Sequence, residues 1–349
     1  MITKQWTWVL VVAVALFLAA GAASCGGDDD GGGGGDSISV GLVTDTGGVD
    51  DRGFNQFSID GLEKAESELE IEQRVYISNS ADDYLPNLQA AADDGHDLVI
   101  AVGFLLAPSV IEVATENPDI SFAGVDHFYG EPGDEACEES KTCAVDNALG
   151  MIYPTEEAGY LAGIVAALTT KTNTVSTVGG IKIPPVDNWI AGYQAAVKAT
   201  KPNVKLLNAY SNDFNDAAKC KEIALDQIRT GNSDVVFQVA GDCGLGALDA
   251  ACEEGVTAIG VDADQNSQGP CVITSALKPL TDSVFGVIED FTNDEFQGGT
   301  NQTFGIQDLP DAKLLSPFQG EVSQEIKDAV AKAEAGLKDG SIDPPATLG

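Results

Sequence analysis

Positively charged residues are scarce in this chain. Its 349 residues include 18 lysines and arginines against 55 aspartates and glutamates, which gives a net charge of −37. Such a surface repels a phosphate backbone, so we exclude nucleic acid as a partner. The acidic residues are spread along the chain, as on a solvated and highly soluble surface. Adaptation to high salt, which screens their mutual repulsion, is a second explanation.

Histidine is also nearly absent, since only His96 and His127 occur, and they are isolated from each other. No C-x-x-C pair is present, so we expect no zinc site, and we predict no other metal and no cofactor. The absence of a G-x-S-x-G motif argues further against a Ser-His-Asp hydrolase. Residues 241–246 follow a predicted strand but lack the G-x-G-x-x-G spacing of a dinucleotide loop.

Long apolar runs are missing except at the N-terminus. Lys4 precedes an apolar run over 6–20, and small residues follow up to Cys25, which is typical of a secretory signal. Residues 22–25, AASC, resemble the lipobox of bacterial lipoproteins, which implies cleavage before Cys25 and lipid attachment to its sulfur. We predict a signal peptide over 1–24 and a flexible, lipid-anchored linker over 25–36. The alternative is an uncleaved anchor helix, for which the run falls short of the ~20 residues that span a bilayer. Both place the remainder outside the cytoplasm, at the outer face of the cell membrane.

The remaining cysteines are even in number, which predicts disulfides outside the cytoplasm. They are Cys137, Cys143, Cys220, Cys243, Cys252 and Cys271. The first two flank an acidic loop that a bond between them would close. Cys220 lies near a predicted helix start and Cys243 just after a predicted strand, so both belong at the carboxyl edge of a parallel sheet. Cys252 and Cys271 belong at the opposite edge, so we predict the pairs 220–243 and 252–271.

Short apolar strands alternate with helical segments in two successive series. The first has predicted strands at 40–43, 75–78, 98–102, 121–125 and 143–145, and helices at 53–69, 84–93 and 109–116. The second has predicted strands at 175–179, 205–209, 235–239, 258–261 and 272–274, and helices at 187–199, 216–229 and 246–254. Near-continuous apolar strands separated by helices predict parallel sheets covered on both faces.

The two series also match in sequence. Residues 97–100 (DLVI) correspond to 234–237 (DVVF), and 120–126 (ISFAGVD) to 256–262 (VTAIGVD), at nearly equal spacing. We infer two similar α/β lobes whose carboxyl strand edges face each other across a cleft, where ligands of open α/β sheets bind. Asp126 and Asp262 would then end equivalent strands, one on each wall.

Several segments after predicted strands carry a resemblance to a known family. They are 45–56 (DTGGVDDRGFNQ), 122–126 (FAGVD), 157–163 (EAGYLAG), 178–181 (VGGI) with 184–186 (PPV), 212–216 (NDFND) and 259–265 (IGVDADQ). From residue 37 to its end, the chain resembles the basic membrane lipoprotein (BMP) family, the PnrA-like nucleoside-binding lipoproteins of ABC importers. The resemblance implies an α/β, type I periplasmic-binding-protein fold, with two doubly wound parallel-sheet lobes joined by a hinge. We place lobe 1 at 37–152 plus 278–308, and lobe 2 at 153–277 plus 309–349.

The function that the resemblance implies is capture of a purine or related nucleoside and its delivery to the permease and ATPase subunits of an ABC transporter. We expect a monomer that is not an enzyme. Eight residues are assigned to the ligand: Asp45, Phe54, Asn55, Asp126, Phe214, Gly241, Asp262 and Lys278. The two phenylalanines are suited to clamp a flat base.

The polar members of this set have matching chemistry. Asp45 and Asn55 are placed to hydrogen-bond the edges of the base. Asp126 and Asp262 are suited to accept from ribose hydroxyls, although a helix-capping role is the alternative. Lys278 would donate to the sugar and offset those carboxylates, or it is simply solvated.

Glycine, loop and aromatic positions complete the assignment. Gly241 would let the backbone approach the ligand. We interpret residues 50–52 as loop surface. Trp189 either lines the cleft or packs its own helix.

Two other functions remain open at this point. Paired carboxylates also suit a glycosidase, here a nucleoside hydrolase. The same fold also serves as a sugar or nucleoside sensor that passes its closed state to a signalling partner.

Overall fold

Two parallel β-sheets organise the part of the chain that the structure describes, residues 37–349 of a computed structural model. Its strands are β1 (Ser39–Val43), β2 (Glu72–Tyr76), β3 (Leu98–Val102), β4 (Ser121–Val125), β5 (Ala148–Ile152), β6 (Thr174–Gly179), β7 (Lys205–Tyr210), β8 (Val235–Val239), β9 (Thr257–Asp262), β10 (Val272–Leu277) and β11 (Asn301–Thr303). Its helices are α1 (Phe54–Leu69), α2 (Tyr84–Asp93), α3 (Ala107–Glu116), α4 (Glu135–Ser140), α5 (Thr155–Thr169), α6 (Pro184–Thr200), α7 (Ala217–Arg229), α8 (Gly241–Glu254), α9 (Leu280–Thr292) and α10 (Gln324–Lys338). The predicted signal segment, Cys25 and the linker lie outside the described residues. Within 37–349, no helix has both the length and the apolar character needed to cross a bilayer.

The two sheets share one topology. The strand order is β5-β4-β3-β1-β2 in the first sheet, where β11 adds beside β5, and β10-β9-β8-β6-β7 in the second. Every strand pair is parallel. All residues of the central strands β3 and β8 are buried, as expected when helices cover both faces of a sheet. The prediction of two parallel α/β lobes is therefore confirmed.

The internal sequence repeat reflects a repeated structural role. Asp97 precedes β3, and its Oδ2 accepts a hydrogen bond from the backbone N–H of Ser39 at 2.8 Å. Asp234 precedes β8, and its Oδ2 accepts from the backbone N–H of Lys171 at 2.7 Å. In each lobe, the carboxylate ties the start of the central strand to the segment that begins the neighbouring strand.

Within the part of the chain that the structure describes, the backbone passes between the two sheets three times. It leaves the first sheet after β5, and it leaves the second after β10, where α9 packs against α1 through a 2.9 Å bond from Thr281 Oγ1 to the carbonyl of Phe57. The third passage follows β11, where Glu157 of α5 accepts from the N–H of Ile306 at 3.0 Å, and ends at α10, which packs on α5. Residues from the three passages, Tyr153, Lys278 and Phe304, line one small pocket. The division of the lobes at 152/153, 277/278 and 308/309 stays a prediction.

Some predicted elements are wrong. Residues 143–145 are not a strand, because Cys143 forms only an isolated bridge with Gly130, and the strand that pairs with β4 on this side is β5 instead. Strand β2 ends before residue 78, and α8 begins five residues earlier than predicted. The first turn of α8 contains three glycine or aspartate residues, which favour turns, so the residue types there did not indicate a helix. Four helices, α4, α5, α9 and α10, have no counterpart among the predicted elements.

The six cysteines within residues 37–349 form three disulfides: Cys137–Cys143, Cys220–Cys243 and Cys252–Cys271. These are the pairs expected from the sequence. The second joins α7 to the first turn of α8, at the carboxyl edge of the second sheet. The third joins the last turn of α8 to the residue before β10, at the opposite edge.

Candidate functional site

A cavity lies between the carboxyl edges of the two sheets, and it is the site that the topology predicts. We call the cavity residues that follow first-sheet strands the first wall: Asp45, Gly47, Asp51, Phe54, Gly103, Phe104, Leu105 and Asp126. Those that end or follow strands β6 to β9 form the second wall: Ile183, Pro185, Val186, Trp189, Phe214, Val239, Ala240, Gly241 and Asp262. Lys278 stands between the walls, on the segment from β10 to α9. Seven of the eight predicted ligand residues line this cavity.

Asn55 is the exception, because it lies behind Asp45. Its side chain is fully buried, its Nδ2 donates to Oδ1 of Asp45 at 2.9 Å, and its Oδ1 accepts from the N–H of Asp45 at 3.3 Å. The N–H of Gly47 also donates to Oδ1 of Asp45, at 2.9 Å. Asn55 therefore orients the carboxylate of Asp45 rather than facing the cavity as the sequence suggested.

Gly103 makes room for this carboxylate. It has a positive φ of 117°, and a Cβ built on it would lie 2.8 Å from Oδ2 of Asp45. Both the backbone conformation and the close approach require glycine. The loop after β3 thus holds Asp45 from one side while Asn55 holds it from the other.

The interpretation of Asp51 as loop surface is wrong. Its side chain is 1% exposed and accepts from the backbone N–H groups of Gly53 at 3.0 Å, Asn55 at 2.9 Å and Gln56 at 3.1 Å. These are N–H groups at the start of α1 that have no partner inside the helix, so Asp51 caps α1. Asp50 and Arg52 are exposed, as predicted.

Asp126 and Lys278 form a buried ion pair. Nζ of Lys278 lies 2.6 Å from each carboxylate oxygen of Asp126, and the two side chains are 2% and 9% exposed. The ammonium group also lies 4.6 Å from the ring centre of Phe54 and 4.4 Å from that of Tyr153. Such contacts with aromatic faces favour the cation. Lys278 is therefore neither solvated nor shared equally between Asp126 and Asp262.

Asp126 and Asp262 occupy equivalent positions, as the repeat predicts. Both have φ of 64°, a left-handed conformation that aspartate tolerates better than most residues. Burial raises the pKa of Asp262 to about 7; the ammonium of Lys278 opposes this, while the carboxylates of Asp51, Asp126 and Asp45 add to it. Asp262 thus has no positive partner of its own in this cluster.

Burial also acts on two carboxylates of the first wall, those of Asp51 and Asp45. It raises the pKa of Asp51 to about 6, even though three N–H groups stabilise its ionised form. Burial also raises the pKa of Asp45, against the hydrogen bonds from Asn55 and Gly47. The first wall therefore presents hydrogen-bond acceptors whose charge is only partly compensated.

The second wall is built around Phe214. This residue lies in the loop between β7 and α7, and a Cβ on Gly180 would be 2.3 Å from its Cε1, so the ring rests directly on that glycine. Gly241, with φ of 56°, begins α8 beside the same ring. Trp189 lines the cavity and also packs within its own lobe, so both interpretations of it hold. Its ring lies edge-on to that of Phe237, with 6.4 Å between the ring centres.

The histidines take no part in this cavity. His127 is fully buried, and its ring nitrogens lie 2.7 Å from the hydroxyl of Tyr129 and 2.8 Å from the carbonyl oxygen of Gly103. Burial lowers the pKa of His127 to about 4, so the ring is neutral at physiological pH. Among residues 37–349, no cluster of side chains has the composition of a metal site.

Comparison with known proteins identifies the family. The chain is 32% identical to the ABC transporter nucleoside-binding protein BmpA of Lactococcus lactis subsp. cremoris, covering 88% of this chain and 89% of that protein. It is also 32% identical to the CD4+ T-cell-stimulating antigen of Listeria monocytogenes, covering 88% of each. The fold is that of an ABC transporter solute-binding protein from Aeropyrum pernix, with a TM-score of 0.77 at 23% identity over 89% of this chain and 94% of that one. This confirms the type I periplasmic-binding-protein fold. Residues 38–332 match the family described as ABC transporter substrate-binding protein PnrA-like, so the chain belongs to this Bmp family, whose members bind substrates for transporters and are not enzymes.

Proposed function

We propose that this protein captures a purine nucleoside between its two lobes, outside the cytoplasm, and delivers it to an ABC permease. One observation carries the proposal: Phe54 and Phe214, from opposite walls, line a single cavity whose charged groups are mainly carboxylates. Aromatic rings suit the faces of a base, and each stacked ring contributes about 1–3 kcal/mol in proteins that bind single-stranded nucleic acid. Carboxylates suit the N–H and O–H donors at its edges and on its ribose. The family membership removes the nucleoside hydrolase from consideration.

The charge of the cavity favours a nucleoside over a nucleotide. Among the described residues that line it, four carboxylates (Asp45, Asp51, Asp126 and Asp262) stand against the single ammonium group of Lys278. Both carboxylate oxygens of Asp126 already engage that ammonium group. A phosphate would meet uncompensated negative charge, which disfavours the wrong ligand by repulsion.

The remaining acceptors have separate proposed partners. The protein N–H groups around Asp45 donate to its Oδ1, which leaves Oδ2 to accept an N–H from the base. Asp262, on the opposite wall, accepts from a ribose hydroxyl. In this arrangement Asn55 contributes indirectly, by holding Asp45, and Lys278 contributes by neutralising Asp126.

The setting of the protein rests on its N-terminal sequence and its family. Substrate-binding proteins of ABC importers work outside the cytoplasm. The signal-like segment and Cys25 would add a lipid anchor at the outer face of the membrane, with the acidic linker as a tether. Replacing Cys25 by alanine should release the protein from the membrane fraction, whereas an unchanged distribution would favour an uncleaved anchor helix.

Titration calorimetry with a matched set of ligands tests the proposal. We expect inosine or guanosine to bind, hypoxanthine to bind more weakly, and ribose not to bind measurably. Inosine monophosphate should bind at least about tenfold more weakly than inosine, a difference of about 1.4 kcal/mol.

Two other outcomes would point elsewhere. If ribose binds as well as inosine, the protein is a sugar receptor of the same fold. If the monophosphate binds more tightly, the charge argument fails. Mass spectrometry of the ligand that co-purifies with the protein provides an independent identification.

A further inference from the structure

The loop that carries Phe214 enters α7 and contacts α8, two helices that are joined by a disulfide. This loop, residues 211–216, follows β7 and leads into α7. The carbonyl oxygen of Phe214 accepts a hydrogen bond from the N–H of Cys243, in the first turn of α8, at 2.8 Å. The sulfur of Cys243 bonds to Cys220 in the first turn of α7. Cys243 therefore holds the loop at two places, through its backbone at Phe214 and through its side chain at the helix that the loop enters.

The packing around this disulfide is close. Cys220 and Cys243 are both fully buried, and the sulfur of Cys243 lies 3.0 Å from the carbonyl oxygen of Asp216, the last residue of the loop. A Cβ on Gly246 would lie 1.9 Å from the carbonyl oxygen of Ala217, so α8 contacts the start of α7 directly. Because both sulfurs are inaccessible to a reductant, the bond is a permanent connection rather than a redox switch.

The position of the loop determines the position of the aromatic ring. The ring of Phe214 rests on Gly180, with no space between them for a side chain, and lines the cavity from the second wall. The backbone on either side of the ring is tied down, since Asn212 donates to the carbonyl of Gly180 at 3.1 Å and Phe214 accepts from Cys243. Loosening α7 from α8 would weaken the second of these ties, the hydrogen bond from Cys243 to Phe214.

We propose that the Cys220–Cys243 disulfide is a positioning element for ligand binding, which fixes the Phe214 loop on α8 so that the ring is in place before the base arrives. This inference rests on the proposed nucleoside function. A ring that is already ordered does not have to be immobilised on binding. Ordering one side chain and its loop changes affinity by about twofold to tenfold.

The same lobe offers a matched control. Cys252–Cys271 joins α8 to β10 at the opposite edge of the second sheet, away from the cavity. The sequence separations of the two disulfides are 23 and 19 residues, so both restrict the unfolded chain to a similar degree. Removing either should lower stability comparably, while only the first should affect the ligand.

The experiment compares two double variants, Cys220→Ala with Cys243→Ala, and Cys252→Ala with Cys271→Ala. For the first, we expect inosine affinity to fall by about twofold to tenfold and backbone amides of residues 211–216 to exchange faster in the ligand-free protein. For the second, we expect neither change, although its melting temperature should fall. If the first does not fold, Cys220→Ala with Cys243→Val refills the volume of the lost sulfur atoms.

A double-mutant cycle separates positioning from general stability. In a Phe214→Ala background, removal of the Cys220–Cys243 bond should cost no further affinity, because the ring it positions is gone. The same loss in both backgrounds would overturn the proposal, as would equal affinities of the two disulfide variants. If inosine does not bind the wild-type protein, the nucleoside proposal fails. Unchanged exchange at 211–216 in the first variant would then overturn the disulfide proposal by itself.

Discussion

The two walls of the cavity differ in chemistry. The first wall carries three carboxylates, those of Asp45, Asp51 and Asp126, whereas the second is mainly apolar and has Asp262 as its single carboxylate. The groups of the first wall are held by directed hydrogen bonds, from Asn55 to Asp45 and from the start of α1 to Asp51. Hydrogen bonds reject ligands that lack the matching donor, while apolar contact tolerates many shapes. The difference suggests that the first wall sets specificity and the second supplies contact area.

Lys278 belongs to neither wall, and its position makes the comparison sharper. It follows the last strand of the second sheet but bonds to Asp126 of the first wall, on one of the three segments that connect the sheets. The ion pair therefore ties the segment between β10 and α9 to the first wall. Substitutions can show how far the first wall depends on this single cation and how the two walls share the ligand.

Lys278→Met should have the largest effect. It leaves the carboxylate of Asp126 buried without a partner, and breaking a buried pair in this way costs about 3–5 kcal/mol in the free energy of unfolding. Urea unfolding measures this loss, and calorimetry should show inosine affinity falling with it. The variant Lys278→Met with Asp126→Asn should recover part of the stability, because no unpaired charge remains.

Lys64→Met is the control for this prediction. Lys64 pairs with Asp282 at 3.6 Å, but the two side chains are 35% and 76% exposed, so its loss should cost at most about 1 kcal/mol. If Lys278→Met is no more destabilising than Lys64→Met, the ion pair of Asp126 and Lys278 does not support the first wall.

Asp262→Asn tests the one carboxylate of the second wall. Asparagine tolerates the left-handed backbone at this position, so the change removes charge with little strain. At pH 8, where the carboxyl of Asp262 is mostly ionised, losing a charge-assisted hydrogen bond to a ribose hydroxyl should weaken inosine binding by about tenfold to a hundredfold. Hypoxanthine, which has no ribose, should be affected much less.

Calorimetry with both ligands decides this prediction. Asp264→Asn is the matched control, since Asp264 is exposed two residues away and should change neither affinity. An equal loss for inosine and hypoxanthine in Asp262→Asn would remove Asp262 from the ribose.

The stability of the ligand-free protein should depend on the protonation of Asp262. Burial raises the pKa of this carboxyl from its ordinary value of 3.8 to about 7, so the folded state binds a proton that the unfolded state has already released. Stability from this group is therefore present at low pH and is lost as pH rises towards and through 7. Between pH 6 and pH 8, the free energy of unfolding of the wild type should fall by about 1 kcal/mol more than that of Asp262→Asn.

The wild type and Asp262→Asn must be compared because the net charge of −37 makes the contribution of surface charges to stability depend on pH as well. That contribution is common to both proteins and cancels in the difference. Unfolding curves at pH 6 and pH 8 provide the measurement. Parallel behaviour of the wild type and the variant would show that Asp262 does not titrate in this range.

The sequence predicted the frame of the site better than its details. Strand ends and the internal repeat were sufficient to pair Asp126 with Asp262, because equivalent strands of parallel sheets end at equivalent places. The bond between Lys278 and Asp126 joins residues 152 positions apart, so no local pattern indicates it. Likewise, Asn55 faces Asp45 rather than the cavity because of the loop geometry, which residue types alone do not determine.

The assignment of Asp51 to loop surface is a different kind of error, because the sequence does contain a signal for its capping role. An aspartate shortly before a predicted helix is a common cap, and α1 was expected to begin at residue 53. Its neighbours Asp50 and Arg52 are exposed, so one tripeptide contains both surface and structural side chains. The run of charge concealed the cap because all three residues were assigned to the surface together.

Asp51→Ala and Asp50→Ala test this distinction and should show the smallest effects. Asp51 accepts three backbone N–H groups at the start of α1, and losing such a cap costs about 1 kcal/mol in the free energy of unfolding. Asp50→Ala, at an exposed position, should stay within about 0.5 kcal/mol of the wild type. Urea unfolding at pH 8, where the carboxyl of Asp51 is ionised because its pKa is raised only to about 6, measures both. Because α1 begins with Phe54 and Asn55, the loss of the cap should also loosen the first wall and weaken inosine binding slightly. Equal stability of the two variants would mean that other contacts of the first wall hold the start of α1. The order of the first wall would then depend on the ion pair of Lys278 instead.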